Sequence, residues 1–280
     1  MAWQHVTRVA GLAVLAVALA PTLWMRSATN AAVPGDTQIA QLIASPHRRP
    51  DNSVRDKYRH PAKLIAFLGI KPDARVVEIA PGSAGYWTEI LAPYLKDRGR
   101  YIAGGPSPVQ GKAGIQQEIE KFAAKLAADP ARYGKVEVVE FTPDKLEFVP
   151  QGSVDYVLTF RNLHNWMGSG RAEQALAAFH KALKPGGMLG IEEHRGRADV
   201  EQDPRAKTGY VRQDYAIAMI EKAGFKLAGQ SEANANRRDT KDHPAGVWTL
   251  PPTWRLGEQD RAKYAAIGES DRFVLKFVKR

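Results

Sequence analysis

The fold is decided by the stretch Arg75-Val-Val-Glu-Ile-Ala-Pro-Gly-Ser-Ala-Gly85. Its first half is a short apolar run, which predicts a strand buried in a sheet. Pro81 and Gly82 then break the strand, and Gly82 permits a positive φ angle and a close approach of a ligand to the backbone. The free N–H groups at the start of the following helix favour the same role. A turn that only joins strand to helix needs the same glycine, so a purely structural turn is the alternative.

Strands and helices alternate along the rest of the chain, and this alternation predicts a parallel sheet with helices on both faces. In such sheets the ligand lies beyond the carboxyl ends of the strands. The predicted strands are Arg75–Ala80, Arg100–Ala103, Val136–Phe141, Val154–Phe160, Met188–Glu192, Phe225–Gln230 and Arg272–Val278, and the main helices are Gly85–Leu95, Ile115–Leu126, Ala172–Leu183 and Val211–Ala223.

Polar runs directly after the fourth and fifth predicted strands supply candidate catalytic residues. His164 is a candidate base, because an imidazole near its normal pKa takes up a proton at neutral pH. Asn162 and Asn165 are candidates for orienting a substrate, and His194 is a further catalytic candidate. A helix cap or a backbone hydrogen bond is the structural alternative for His164. Four histidines are expected near one rim: His60, His164, His194 and His243. No close-spaced metal-binding motif accompanies them, so no metal is predicted.

Three segments resemble the class I S-adenosylmethionine-dependent methyltransferases. Glu78, Ala80, Gly82 and Ala84 match the acid and small residues of the first family motif. The stretches Phe148–Phe160 and Ala182–Leu189 resemble the fourth-strand segment and the turn into strand five. The resemblance implies a Rossmann-like α/β fold, a seven-stranded, mostly parallel sheet whose last strand is antiparallel and inserted beside strand six, and S-adenosylmethionine as cofactor. The cofactor-binding residues that it implies are Glu78, Gly82, Ser83, Ala84, Gly85 and Asp144.

The end of the predicted second strand departs from the family pattern. Most members carry an acid there that holds both ribose hydroxyls, whereas this chain has Gly104-Gly105-Pro106. This departure favours the second hypothesis, a non-catalytic exported binding module that retains the methyltransferase fold. A dehydrogenase is disfavoured, because neither Gly-x-Gly-x-x-Gly nor the ribose acid is present.

The first 32 residues predict an export signal. Arg8 precedes an apolar stretch, Val9–Trp24, that is shorter than the roughly 20 residues of a membrane span, and small residues at Ala31 and Ala32 suit cleavage. An uncleaved N-terminal anchor is the competing interpretation and the only membrane association expected. We therefore expect a periplasmic or secreted protein. Its expected organisation is residues 1–32 as signal peptide or anchor, 33–72 as an N-terminal lead and cap segment, and 73–280 as the methyltransferase-like domain.

Composition narrows the class of protein further. The 280 residues include no cysteine, which excludes a disulfide scaffold, a Cys-ligated metal and a thiol nucleophile. The net charge is +10, but the longest run of basic residues is His47-Arg48-Arg49. We therefore expect positive and negative side chains to be mixed over a solvated surface, and we expect no nucleic-acid partner. The oligomeric state is left open.

Two segments, Arg59-His60-Pro61 and Asp242–Pro252, resemble a poorly characterised exported branch of the methyltransferase-like proteins. Asp56, Arg59 and His60 are candidates for covering the cofactor. The leading hypothesis is an enzyme that transfers methyl groups from S-adenosylmethionine to an unidentified small-molecule acceptor.

Overall fold

Seven strands form one sheet in the order β3-β2-β1-β4-β5-β7-β6. The structure is a computed structural model that describes residues 1–2, 34–106 and 113–280. The strands are β1 (Arg75–Ile79), β2 (Arg100–Gly105), β3 (Glu137–Glu140), β4 (Val154–Phe160), β5 (Leu183–His194), β6 (Phe225–Ser231) and β7 (Arg272–Lys279). Strands β1 to β5 pair in parallel, and β7 pairs antiparallel with both β5 and β6. The predicted α/β fold, with its last strand inserted antiparallel beside β6, is confirmed.

Helices cover both faces of this sheet. They are α1 (Pro34–Ala44), α2 (Pro50–Ser53), α3 (Asp56–Arg59), α4 (Pro61–Leu68), α5 (Thr88–Leu95), α6 (Ala113–Ala128), α7 (Pro130–Tyr133), α8 (Leu163–Gly168), α9 (Ala172–Ala182), α10 (Gln213–Lys222) and α11 (Arg261–Ile267), with a 3₁₀ turn at Gly246–Thr249. Successive strand residues point to opposite faces. Val77 therefore packs in one core layer with Phe179 of α9, and Val76 packs in the other with Leu64 of α4 and Ile90 of α5.

The structure differs from the sequence-based expectations at three places. The segment 33–72, expected as a lead and cap, contains the helices α1, α2, α3 and α4, none of which was predicted. The helices α2 and α3 have only four residues each, which is too short to leave a periodic pattern. Strand β2 continues through Gly104 and Gly105, since the Gly104 oxygen accepts a hydrogen bond from the Ala80 amide. Residues 184–187 form an irregularity within β5 rather than a turn before it, because the ladder with β4 jumps from Leu183 to Met188.

The parallel register brings the carboxyl ends of β1, β4 and β5 to one edge of the sheet. Ile79 pairs with Thr159, and Phe160 pairs with Glu192. The chain leaves the sheet from these three positions, so the glycine turn, the start of α8 and the residues after Glu192 meet at this edge.

The expected export signal lies outside the described residues, apart from Met1 and Ala2. In the described ranges, no helix has both the length and the apolar character that crossing a membrane requires.

Candidate active site

The turn after β1 adopts the left-handed backbone that the sequence suggested. Gly82 and Gly85 have φ angles of 69° and 54°, and Ala80 has a φ of 55°. Left-handed backbone costs a non-glycine residue about 1–2 kcal/mol, so Ala80 is held there by its surroundings. A Cβ added at Gly82 would meet no heavy atom within 4 Å, whereas one at Gly85 would lie 3.1 Å from the Lys125 side chain. The Gly82 end of the turn is therefore open to a ligand, and the Gly85 end is packed.

Glu78 lies directly before this turn and is 2% exposed. Its carboxyl group accepts a hydrogen bond from the Tyr101 hydroxyl on β2, and the Tyr101 hydroxyl also lies 2.8 Å from that of Thr88. Burial raises the pKa of Glu78 to about 7, although the bond from Tyr101 and the nearby arginines oppose that rise. Glu78 thus ties β1 to β2 beneath the turn.

A cavity of about 310 Å³ lies at the ends of β1, β4 and β5. Its lining includes Gly82, Arg161, Asn162, His164, Asn165 and His194, and its outer wall includes Trp248 and residues 251–253 from the segment between β6 and β7. The volume is at the lower end of the range for small-molecule sites. The cavity therefore contains all four candidate catalytic residues together with one of the candidate cofactor-binding residues.

His164 and Glu193 form a buried pair in this cavity wall. The His164 Nδ1 lies 2.9 Å from a Glu193 carboxylate oxygen, and His164 is 5% exposed. The same carboxylate accepts hydrogen bonds from the backbone amides of His164, at 3.0 Å, and His194, at 2.7 Å. A carboxylate that accepts from Nδ1 fixes the imidazole proton on Nδ1 and leaves Nε2 as the acceptor of the neutral ring.

His194 lies beside this pair, with its ring centroid 5.3 Å from that of His164. Its Nδ1 is 2.5 Å from the Ser270 hydroxyl oxygen. Burial, followed by the proximity of His164 and of the Arg161 guanidinium, holds the pKa of His194 well below its usual range. His194 is therefore neutral at physiological pH and acts as a hydrogen-bonding group rather than a cation.

His164, Glu193 and His194 also offer ligand atoms that lie within 4.8 Å of one another. The Glu193 carboxylate, however, already accepts hydrogen bonds from one ring nitrogen and two amides. These bonds orient the carboxylate toward His164, which is the arrangement of a supported base.

The two asparagines have different surroundings. The Asn162 side-chain nitrogen lies 3.2 Å from the Ile79 carbonyl oxygen and 3.1 Å from the Thr159 hydroxyl oxygen, so Asn162 connects the ends of β1 and β4. Asn165 is exposed and lines the cavity from the first turn of α8.

The remaining candidate cofactor residues lie away from this cavity. Ser83 and Ala84 line a separate, open depression of about 680 Å³ together with Lys121 and Tyr133. Asp144 is exposed in the turn between Thr142 and Lys145, which form an antiparallel bridge. The structure therefore divides the glycine turn between two concave surfaces.

The N-terminal segment packs against the residues that follow the glycine turn. Asp56 accepts two hydrogen bonds from Arg48 and one from the Tyr86 hydroxyl, and the Arg59 guanidinium lies 4.3 Å from the Tyr86 ring centroid. His60 lies in a different concave surface, where its Nδ1 is 3.2 Å from the Asn234 side-chain oxygen.

Of the four histidines expected near one rim, His164 and His194 lie together in the cavity, whereas His60 and His243 do not. The His243 Nε2 lies 2.9 Å from the Asp239 carboxylate. Tyr86 itself is buried with Trp87 in the core layer of α4 and α5, away from the open end of the turn.

Arg55, Glu269 and Ser270 line the cavity but were not predicted from the sequence. Arg161 and Glu193 belong to the polar runs after the fourth and fifth predicted strands, but no role was assigned to either. Glu193 is the next-to-last residue of β5, and it reaches the site through its bond to His164. Arg55 and Glu269 carry no local pattern that points to this cavity.

Comparison with known proteins gives a consistent result. A family model described as a methyltransferase domain matches residues 79–191. A curated relative, an S-adenosyl-L-methionine-dependent Diels-Alderase from Talaromyces variabilis, is 29% identical over 157 residues, which cover 55% of this chain and 47% of that protein. The chain thus matches about half the length of this relative.

Two solved structures have a similar fold. A SAM-dependent methyltransferase from Aquifex aeolicus aligns with a TM-score of 0.55 at 15% identity, covering 88% of this chain and 98% of that one. The [4+2]-cyclase SpnF aligns with a TM-score of 0.53 at 16% identity, covering 88% and 92%. At these identities the similarity concerns the fold.

Proposed function

Because the chain belongs to the class I S-adenosylmethionine-dependent methyltransferase superfamily, we propose that it transfers a methyl group from S-adenosylmethionine to a hydroxyl group of a small molecule. The observation that carries this proposal is the buried His164–Glu193 pair in the same cavity as the open end of the glycine turn. A base oriented beside a cofactor-binding turn is the arrangement that methylation of a hydroxyl requires.

The ends of β1 and β2 support S-adenosylmethionine as the cofactor. Side chains at Gly82 and Gly105 would meet nothing within 4 Å, so both backbones are accessible to a ligand. We propose that Glu78, Gly82, Ser83, Ala84, Gly85 and Asp144 hold the cofactor, with Glu78 acting from beneath the turn through Tyr101. When bound, S-adenosylmethionine supplies an electrophilic methyl group on a positively charged sulfur. The end of β2 offers no carboxylate to the ribose, so the affinity is expected to be modest.

His164 is the proposed general base. Its Nε2 would accept the proton of the acceptor hydroxyl as the hydroxyl oxygen bonds to the methyl carbon, and the broken sulfur–methyl bond would leave its electron pair on the sulfur of neutral S-adenosylhomocysteine. The imidazolium that results lies 2.9 Å from the Glu193 carboxylate, which stabilises the charge. Glu193 is therefore a positioning residue that fixes the imidazole tautomer and offsets its positive charge.

The other cavity residues hold the acceptor and exclude water. The neutral His194 and the exposed Asn165 are the proposed hydrogen-bonding partners of the acceptor. Asn162 keeps the end of β4 against the end of β1 through its bond to Ile79. The Trp248 ring centroid lies 5.8 Å from that of His164, so the indole is an apolar neighbour of the proposed base.

The test measures S-adenosylhomocysteine formation by the purified protein with S-adenosylmethionine and a panel of phenols, alcohols and hydroxy acids. For an acceptor that is turned over, His164→Gln is expected to lower kcat by about 10²–10⁴-fold with little change in the Kd for cofactor. Glu193→Gln is expected to lower kcat less and to shift the pH–rate profile, because the base then lacks its charged partner. His180→Gln is the matched control: His180 lies on α9, outside the cavity, and its replacement is expected to leave kcat unchanged.

The outcomes separate the competing functions. Absence of S-adenosylmethionine binding would support the exported binding module that retains the fold. Conversion of a substrate without consumption of the cofactor would refute methyl transfer, and one relative is described as a cofactor-dependent Diels-Alderase. We also propose that the protein acts in the periplasm or outside the cell, which a fractionation assay of the full-length chain tests.

A further inference from the structure

An excess of positive charge surrounds the inner end of the cavity. Glu269 contacts Arg55 at 2.5 Å and Arg272 at 2.8 Å, and Glu192 contacts Arg272 at 3.2 Å and Arg161 at 3.9 Å. The members of this arginine cluster are Arg55, Arg59, Arg161, Arg272, Glu192 and Glu269. Four guanidinium groups thus share two carboxylates.

Glu78 adds only part of a third negative charge to the arginine cluster. Its pKa of about 7 leaves it about half ionised at neutral pH. Arg59 and Arg161 are close enough to Glu78 to act on its pKa. Burial, followed by the like charge of Arg161, lowers the pKa of Arg59. Within this set of residues positive charge therefore exceeds negative charge, and the nearby Glu193 carboxylate is already engaged by His164 and two backbone amides.

Several N–H groups of the arginine cluster lack acceptors. Arg55 Nη2, Arg161 Nε and two nitrogens of Arg59 are buried and have no hydrogen-bond partner among the residues that the structure describes. Buried polar groups without partners are rare and costly, at about 1–3 kcal/mol or more when charged. The orphaned donors of Arg55 and Arg161, the two arginines of this group that line the cavity, indicate a ligand that brings its own acceptors.

Arg55 and Arg161 are the members of the cluster that a ligand reaches from the cavity. Both line it, and their side chains are 18% and 24% exposed, against 2% for Arg59 and 1% for Arg272. Arg161 also has a φ of 61°, a strained conformation for a side chain of its size. Strained backbone clusters at functional sites, where it is retained because it aims a side chain.

The cofactor does not supply the missing negative charge. S-adenosylmethionine carries a sulfonium and an ammonium group against one carboxylate, so it adds positive charge. An acceptor with an anionic group compensates both the cofactor and the arginines. We propose that the methyl acceptor is a small hydroxylated carboxylate whose anionic group binds Arg55 and Arg161 and whose hydroxyl faces His164. This inference rests on the proposed function.

The cavity walls suit such a molecule. The Trp248 indole contributes a flat apolar surface to the cavity lining, and His164 lies beside it. Guanidinium groups bind carboxylates through paired N–H donors, which fixes the orientation of the acceptor as well as its affinity. A volume of about 310 Å³ limits the acceptor to a small molecule of one or two rings.

The test uses matched pairs of probes, 3- and 4-hydroxybenzoate against the corresponding hydroxybenzamides, titrated calorimetrically into the full chain saturated with S-adenosylhomocysteine. We expect at least one carboxylate to bind ten-fold or more tightly than its amide. Arg161→Gln and Arg55→Gln are each expected to remove this preference while changing the Kd for S-adenosylhomocysteine less than three-fold. Arg161→Lys retains the positive charge and is expected to keep part of the preference for the carboxylate. Arg171→Gln, an exposed arginine at the start of α9, is the matched control and is expected to keep the full preference.

Three results overturn the inference. The first is that neither hydroxybenzoate binds more tightly than its amide, which includes the case in which none of the four probes binds. The second is a preference that persists in both Gln variants when their melting temperatures match that of the unmodified protein. The third is a loss of S-adenosylhomocysteine affinity with unchanged probe binding, which assigns the arginines to the cofactor carboxylate. Failure of the proposed function is distinct, because S-adenosylhomocysteine itself then fails to bind.

Discussion

Supplying the acid that is missing at the end of β2 is expected to strengthen cofactor binding. Gly105 is the last residue of β2, its φ is not in the left-handed region, and a Cβ there would meet no heavy atom within 4 Å. Gly105→Asp is therefore expected to fold normally and to place a carboxylate where related proteins hold the ribose hydroxyls.

The magnitude of this gain follows from opposing contributions. A hydrogen bond to a charged group contributes about 1.5–3 kcal/mol. Desolvation of the new carboxylate opposes it, and so does Glu140, which is opposite Gly105 on β3. A net gain of about 1.4 kcal/mol corresponds to a ten-fold lower Kd. We therefore expect Gly105→Asp to bind S-adenosylhomocysteine about ten-fold more tightly, measured by calorimetric titration.

Two variants and one ligand analogue control this prediction. Gly105→Asn has nearly the same shape without the charge and is expected to gain less than three-fold. Gly104→Asp is expected to lower the melting temperature without tightening binding, because its Cβ would lie 2.9 Å from the Ile79 side chain. An analogue without the ribose hydroxyls is expected to bind both proteins equally. A folded Gly105→Asp protein whose affinity is unchanged or lower would refute the placement of the ribose at the end of β2.

Three further predictions concern stability. The pKa of Glu78 rises from 4.5 to about 7 on folding, so between these pH values the folded protein retains a proton that the unfolded chain releases. The free energy of unfolding is therefore expected to fall by on the order of 3 kcal/mol between pH 4.5 and 7 and then to level off. Urea titrations across this range measure the decline, which Glu78→Gln is expected to remove. Gly246→Ala is expected to lower the melting temperature, because residue 246 has a φ of 59° and a Cβ there would lie 2.2 Å from the Thr208 backbone oxygen. Gly257→Ala is the control for backbone strain alone, because residue 257 has a φ of 60° and open space around it. Equal changes in the melting temperatures of the two variants would contradict the steric argument. Trp87→Ala is expected to cost about 3–5 kcal/mol of unfolding free energy, since Trp87 is 2% exposed and stacks on Phe160, and a loss below 1 kcal/mol would mean that the core collapses around the gap.

Local sequence patterns predicted the sheet because its strands are apolar runs that end in turn residues. They also placed His164 and His194 at the correct edge, since both follow strands directly. The partner of His164 was not predictable in the same way. Its pairing with Glu193 depends on the register in which Phe160 meets Glu192, and that register is a property of two strands packed together.

The chemistry of the cavity depends even more on long-range placement. Arg55 lies in a short segment after α2, and its partner Glu269 is 214 residues further along the chain. A four-residue helix and a loop before the last strand carry no periodicity that would reveal this contact. The sequence therefore indicated a polar rim, but not that its inner end carries excess positive charge.

The origin of these residues separates two tasks within one fold. Glu78, which is proposed to serve the cofactor, lies in β1, and Gly82 lies in the turn directly after that strand. Arg55 comes from the N-terminal segment, and Trp248 and Glu269 come from the long connection between β6 and β7. Segments outside the alternating core vary in length and charge without disturbing the strand register. Exchanging the connection between β6 and β7 is therefore expected to change the acceptor preference and to leave the affinity for S-adenosylhomocysteine nearly constant. The reason is that the glycine turn depends on β1, β2 and Tyr101 rather than on that connection.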